Sequence, residues 1–314
     1  MNNLVSILIP VYNRFDLCDQ AIQSALSQTY SNIEIIVGDN CSTDNTFDRL
    51  KDKYMNEERV ILFRNDINVG PVFNWIECLK RAKGELVKFL WSDDLMHPLF
   101  LEETVTAFSD PEIAFAYSRV GFFSESTNSF EAKEGYRLGK TGVYTADKFF
   151  DALIKDGNAP FSPGCAIFRK SALDIVYDFE GSEEVGVLKT GAGVDLLMFL
   201  HALQVSNKFF FVNRTLSFFR VHKGSISLID GSVPKAYICA EKFFFEFVNK
   251  IEYLKWIKAY NNVRAFRRQY SEEMVEYCKS IDMLGPEILL IFIYCKIIIR
   301  SLKRKIKKLY VKET

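Results

Sequence analysis

The chain has 314 residues, 48% apolar and 25% charged, which is the make-up of an ordinary globular protein with room for one large domain or a domain plus an appendage. Its 40 Lys and Arg balance its 40 Asp and Glu, so no overall field points to nucleic acid. The cysteines (Cys18, Cys41, Cys78, Cys165, Cys239, Cys278 and Cys295) are odd in number, scattered and without a CxxC pair, which argues against a disulfide framework or a zinc site. Met1 to Pro10 enters a strand-like run with no basic stretch before it, so the expectation is a cytoplasmic protein without a secretory signal.

In chain order, Val5–Ile9 is a short apolar run closed by Pro10 and reads as a buried strand. Phe15 to Gln28 carries Leu17, Ala21 and Ala25 at helical spacing, and Ile33–Val37 is a second buried strand. Ser42 or Thr43 is expected to cap a helix bearing Phe47, Leu50 and Tyr54, and Val60–Phe63 is a third strand. Pro71 suits the first turn of a helix with Val72, Trp75, Ile76 and Leu79 on its apolar face, and Gly84 is expected as its left-handed C-cap. Leu86–Leu90 is a fourth strand. Alternating strands and helices imply an α/β fold with a mainly parallel central sheet, whose ligands bind beyond the carboxyl ends of the strands. Further on, Ala114–Phe123 and Cys165–Phe168 read as strands, Thr145 as the cap of a helix through Leu153, and Asp195–Leu203 as a helix. Phe209–Val212 and Leu216–Val221 read as two more strands, and the pattern from about Pro234 is helical.

The polar clusters fall on the strand ends. They are Pro10-Val11-Tyr12-Asn13, then Gly38-Asp39-Asn40-Cys41-Ser42-Thr43-Asp44, then Asn68-Val69-Gly70, then Ser92-Asp93-Asp94. In a parallel sheet they converge on one crevice. A carboxylate such as Asp39 can accept a hydrogen bond from the N3–H of uracil or thymine, and Asp93 can hold Mg or Mn against a diphosphate. Blander readings exist: Asp39 as a turn residue, Asp93-Asp94 as an N-cap, Asp195 as a helix N-terminal charge, and His222 as a structural histidine.

Ser6 to Asn13, Ile35 to Asp44, Phe89 to Asp94 and Arg220 to Ser227 resemble, in that order, the motifs of family 2 glycosyltransferases, which are inverting enzymes of the GT-A fold, among them bacterial cell-surface polysaccharide glycosyltransferases. The resemblance covers roughly residues 4 to 228. It implies a GT-A glycosyltransferase domain over 1–230 and a C-terminal helical region over 231–314. It also implies a donor site of Pro10, Val11, Tyr12, Asn13, Asp39, Asn68, Gly70, Ser92 and Asp93, a divalent metal (Mn or Mg) on Asp93, Asp94 as a neighbour that orients the site, and Asp195 as general base; His222, as an imidazole, can ligand that metal or donate to a phosphate oxygen. The implied substrates are a UDP- or dTDP-sugar and the hydroxyl of a glycan or lipid-linked acceptor. Two positions depart from the pattern. Trp91 replaces the first aspartate of the family's DxD, and Val194 replaces the acid that normally precedes Asp195.

Two other functions fit parts of this pattern. A sugar nucleotidyltransferase normally opens with a glycine-rich phosphate loop, and residues 9–16 contain no glycine. A catalytically decayed nucleotide-sugar-binding module would account for Trp91 and Val194. At the C-terminus, Ile288 to Ile299 is apolar except for Lys296, and a basic run follows. Twelve helical residues reach only about 18 Å against a hydrocarbon core of about 30 Å, so residues 287–314 are expected to make peripheral membrane contact rather than to span.

Overall fold

The computed structural model describes residues 3–124, 129–153, 158–173 and 193–222. The chain divides into two units, Met1–Phe244 and Phe245–Thr314, and every described residue belongs to the first. The expected helical region over 231–314, with its basic tail, lies outside the described residues. Among the described residues no helix is long and apolar enough to cross a membrane.

The first half is a βα alternation. Strand β1 (Val5–Val11) leads to α1 (Phe15–Leu26), β2 (Ile33–Asp39) to α2 (Thr46–Tyr54), and β3 (Val60–Arg64) to α3 (Pro71–Arg81), which is followed by β4 (Leu86–Phe89). These strands pair in parallel in the order β3-β2-β1-β4. The run stays in one sheet because it is apolar on both faces: every residue of β2 and of β4 is buried. A two-residue strand β5 (Leu95–Met96), α4 (Phe100–Val105) and the long β6 (Ile113–Ser124) come next. They lead to β7 (Ser129–Gly135), β8 (Gly142–Thr145), α5 (Ala146–Asp151), a 3-10 turn at Pro163–Cys165, β9 (Ala166–Arg169), α6 (Val194–Val205) and β10 (Lys208–Val221). The sheet continues β4-β9-β6-β10-β5. Strand β9 is antiparallel to both neighbours and β10 is parallel to β6.

Local details differ from the sequence expectation for physical reasons. Strands β1 and β2 run two residues further, through Pro10 to Val11 and through Gly38 to Asp39, because the two extend each other's ladder. Ser42 and Thr43 do not cap α2. Its N-cap position is Asn45, and the backbone N–H of Thr46 donates to Asp44 instead. Gly84 is not a left-handed cap. Ala82 ends α3 in extended conformation, and Gly84 is a close-approach residue whose added Cβ would lie 2.6 Å from the Leu4 carbonyl oxygen and 2.7 Å from Ser6 Oγ. Thr145 stands at the N-cap of α5 without a side-chain capping bond. The two strands expected over Phe209–Val212 and Leu216–Val221 are one, β10, whose register shifts around Thr215 absorb the polar Asn213-Arg214 pair as a bulge rather than a turn.

Candidate functional site

The ends of β1 and β2 turn sharply. Asn13 (φ 50°) and Cys41 (φ 62°) are both left-handed, which brings the two motifs face to face. The Asn13 backbone N–H donates to Ser42 Oγ at 2.9 Å, its side-chain oxygen accepts the Thr43 N–H at 2.8 Å, and the Arg14 N–H donates to Thr46 Oγ1. Thr43 and Ser42 therefore latch the first loop rather than start a helix. Behind them, the Asn40 side chain donates to Asn68 Oδ1 at 2.8 Å and accepts the Val69 N–H, while Asn68 Oδ1 also takes the Gly70 N–H. Asn68 thus holds the 65–70 loop against the end of β2, and Gly70 (φ 83°) makes its turn.

Asp39 is 1% exposed at the end of β2. Its Oδ2 accepts the Ser42 N–H at 2.9 Å and lies 3.5 Å from Arg64 Nε. That satisfies the bland turn role with one oxygen. The other, Oδ1, is buried with no hydrogen-bond partner among the described residues. An orphaned carboxylate oxygen in a buried position costs about 1–3 kcal/mol or more, so it marks a place where a donor belongs. Tyr12, 41% exposed, stands one residue before Asn13.

After β4 the chain presents Trp91, Ser92, Asp93 and Asp94. Asp93 Oδ2 is 3.0 Å from Arg14 Nη1 and 3.0 Å from His222 Nε2. Arg14 carries this carboxylate back to the Asn13–Thr43 latch, so Asp39 and Asp93 line the same end of the sheet. One carboxylate oxygen and one imidazole nitrogen meet there. A carboxylate oxygen and an imidazole nitrogen are donors that Mg or Mn accepts when phosphate oxygens and water complete the shell, and here the Arg14 guanidinium shares that oxygen. Among the described residues no three His, Cys, Asp or Glu side chains form a cage, so most of the coordination would fall to substrate and solvent. Asp94 is buried and accepts the Arg220 N–H at 2.9 Å, while Arg220 Nε reaches the Asp93 carbonyl at 2.8 Å and its Nη2 reaches Gln20. Burial, and then the neighbouring Asp93, push the Asp94 carboxyl well above its usual range. Neither aspartate caps α4, whose N-cap position is Leu99.

Asp195 opens α6. Its Oδ1 accepts the N–H of Gly193 and of Leu196, both at 2.9 Å, and it is 7% exposed. The 3-10 turn Pro163–Cys165 joins this helix to the other motifs, since it packs against β4, β6, β10 and α6. Lys88 fastens the turn from below. Its ammonium, in a residue with no exposure, donates to the carbonyls of Gly164 and Phe89 and sits 4.7 Å from the centre of the Phe100 ring. The strand ends thus gather Asp39, Asp93, Asp94 and His222, and the 163–165 turn links α6, which Asp195 opens, to the same strands.

Lys88 gives a stability prediction. Burial lowers its pKa from 10.5 to about 7, against the opposing pull of Cys165 and Asp94. The unfolded chain holds this proton to near 10.5, whereas the folded chain releases it near 7. Between those values the unfolded state binds more protons, and stability rises with pH. Burial pushes the thiols of Cys18, Cys78 and Cys165 up, so they act in the opposite sense once free thiols ionise near 9. The rise is therefore expected from pH 7 to 8.5. The unfolding free energy of the wild type relative to Lys88→Met should grow by about 1.5 kcal/mol across that interval in urea titrations. A constant difference would mean that Lys88 stays charged.

Arg14, Arg64, Arg220 and Lys88 were not among the expected site residues. Arg14 directly follows the Pro10–Asn13 patch and Arg220 opens the fourth motif, which are usable signals, while Arg64 comes from a strand position that carries none.

Residues 6–176 match the sequence family Glycosyl transferase family 2. The chain belongs to that family. This family 2 glycosyltransferase is 30% identical over 226 residues to UDP-Glc:alpha-D-GlcNAc-diphosphoundecaprenol beta-1,3-glucosyltransferase WfaP of Escherichia coli, covering 71% of this chain and 80% of that protein. TuaG of Bacillus subtilis, named as a teichuronic acid biosynthesis glycosyltransferase, is 27% identical over 82% of this chain and 91% of its own length. Among solved structures, S. aureus TarS in complex with UDP-GlcNAc superposes with a TM-score of 0.57 at 18% identity, covering 81% of this chain and 79% of that one, which establishes the shared GT-A fold. The family 2 chain is thus an enzyme of the glycosyltransferase class. The nucleotidyltransferase alternative falls with that assignment.

Proposed function

We propose that this glycosyltransferase moves a sugar, with inversion, from a UDP- or dTDP-sugar to a hydroxyl of a glycan or lipid-linked acceptor. The observation that carries the reading is the unpartnered, buried Oδ1 of Asp39. Uracil and thymine both offer an N3–H to such an oxygen, and Tyr12 and the loop held by Asn68 and Gly70 are the motifs that would flank the base. The remaining donor contacts fall to Pro10, Val11, Asn13, Ser92 and Asp93. The names of WfaP, with its UDP-glucose donor and diphosphoundecaprenol-linked acceptor, and of the TarS complex with UDP-GlcNAc are in keeping with this donor class and with a lipid-linked acceptor.

Asp195 acts as the general base. It takes the proton of the acceptor hydroxyl as the oxygen bonds to the anomeric carbon and the bond from that carbon to the β-phosphate oxygen breaks, with its electron pair leaving on the diphosphate. Attack opposite the leaving group inverts the linkage. Arg14 holds Asp93 in place and sets a permanent cation beside the diphosphate seat, and Arg220 fixes the Asp93-Asp94 backbone. Asp93 and His222 would hold Mn or Mg, which when bound neutralises charge on the diphosphate. Residues 287–314 would rest on the inner face of the membrane, where a lipid-linked acceptor lies.

The test is a panel of UDP-, dTDP-, CDP- and GDP-sugars incubated with the protein and manganese, read as nucleoside diphosphate released. Release from a UDP- or dTDP-sugar is expected. Release confined to CDP- or GDP-sugars, or none from any donor, overturns the reading.

A further inference from the structure

Trp91 stands where the resemblance places a carboxylate, yet its side chain is not a loose substitute. Indole Nε1 donates to Ser162 Oγ at 2.8 Å, and the ring leans on Trp75 at 4.8 Å and 40°, with Phe89 at 5.9 Å. Both supporting rings are buried, whereas Trp91 is half-buried, so it is fixed from behind and keeps an uncovered surface. Gly164 lets it sit there: a Cβ on Gly164 would lie 3.1 Å from Trp91 Cδ1 and 3.1 Å from Phe219 Cε1, so both rings crowd a residue with no side chain. Phe219 in turn takes the ring of Tyr136 edge-on at 6.3 Å and 76°. Tyr136 is held in a left-handed backbone (φ 59°), a strained conformation for a bulky residue that persists where surrounding structure enforces it. Its phenol is pushed up by burial, then by Cys165 and also by Asp195, while the N–H groups of Phe161 and Ser162 act in the opposite sense.

The three half-buried rings therefore run from the residue two before Asp93, past Gly164, to Tyr136. On the nucleotide-sugar reading, that is the stretch the transferred sugar occupies, with its anomeric carbon between the leaving phosphate and the attacking hydroxyl. A pyranose ring has a face of C–H groups that a carboxylate cannot satisfy and an aromatic ring can. We infer that Trp91, Phe219 and Tyr136 form an aromatic wall that receives the C–H face of the donor sugar, and that Trp91 is the residue through which this enzyme selects its donor. The inference rests on the nucleotide-sugar reading of the site.

The test is calorimetric titration, with manganese, of UDP, UDP-glucose, UDP-galactose and UDP-N-acetylglucosamine against wild type, Trp91→Ala and Trp91→Phe. Trp91→Ala is expected to weaken the tightest-binding UDP-sugar by about three- to tenfold, the range of an aromatic stacking contact, and to leave UDP itself within about twofold. Trp91→Phe should recover most of the loss, which controls for a collapsed pocket in the alanine variant. Equal weakening of UDP and UDP-sugar, or no change in either, overturns the inference while leaving the nucleotide site standing. Failure of the wild type to bind UDP overturns both.

Discussion

Replacing Asp195 with Asn is expected to lower sugar transfer by about 10²–10⁴-fold, the usual contribution of a positioned general base. UDP affinity should stay within about twofold of wild type, because on this reading Asp195 meets the acceptor hydroxyl and not the nucleotide. The fold should survive, since an asparagine side-chain oxygen can still accept the N–H groups of Gly193 and Leu196 that Asp195 Oδ1 accepts. The measurement is turnover of the donor identified in the nucleotide-sugar panel, with an acceptor or with water, beside a UDP titration. Undiminished turnover would show that Asp195 is only the charge at the start of a helix.

The second large effect belongs to Asp39. Its buried Oδ1 is an acceptor, so wild type should prefer UDP to CDP, because cytosine presents a lone pair at N3 where uracil presents N–H. A hydrogen bond to a charged group contributes about 1.5–3 kcal/mol, which is roughly 10- to 150-fold in affinity. Asp39→Asn can offer either an oxygen or an NH2 group to the base. It should therefore bind UDP at least about tenfold more weakly and lose most of the discrimination against CDP. Ser42 N–H keeps an oxygen acceptor in this variant, so the loop should hold. An Asp39→Asn protein that retains wild-type UDP affinity would place base recognition elsewhere.

How much of this was legible in the sequence depended on whether the signal was local. The first four strands and the polar patches at their ends were readable because each strand is a continuous apolar run and each patch follows at once. The alternative roles for the acids divided along the same line. Asp39 does serve its turn, but only one of its oxygens is used there. Asp93 and Asp94 cap nothing, because α4 begins at Phe100. Long-range partners were not legible. Lys88 sits inside an apolar strand, and nothing nearby announces that Gly164, 76 residues on, supplies its carbonyl. Trp91 read as a lost ligand until Ser162, 71 residues away, showed it to be anchored. Gly84 looked like a helix cap because a glycine after a helix usually is one, whereas here the constraint is the Leu4–Ser6 backbone passing within contact distance. Asn213-Arg214 looked like a turn because a bulge also places polar residues together.

The central claim is that a pyrimidine nucleoside diphosphate sits across the ends of β1, β2 and β4. A crystal structure of the protein soaked with UDP and manganese tests it most directly. The prediction is uracil N3 within hydrogen-bond distance of Asp39 Oδ1 and the diphosphate beside Arg14, Asp93 and His222. UDP bound elsewhere on the molecule, or with its uracil turned away from Asp39, would contradict it.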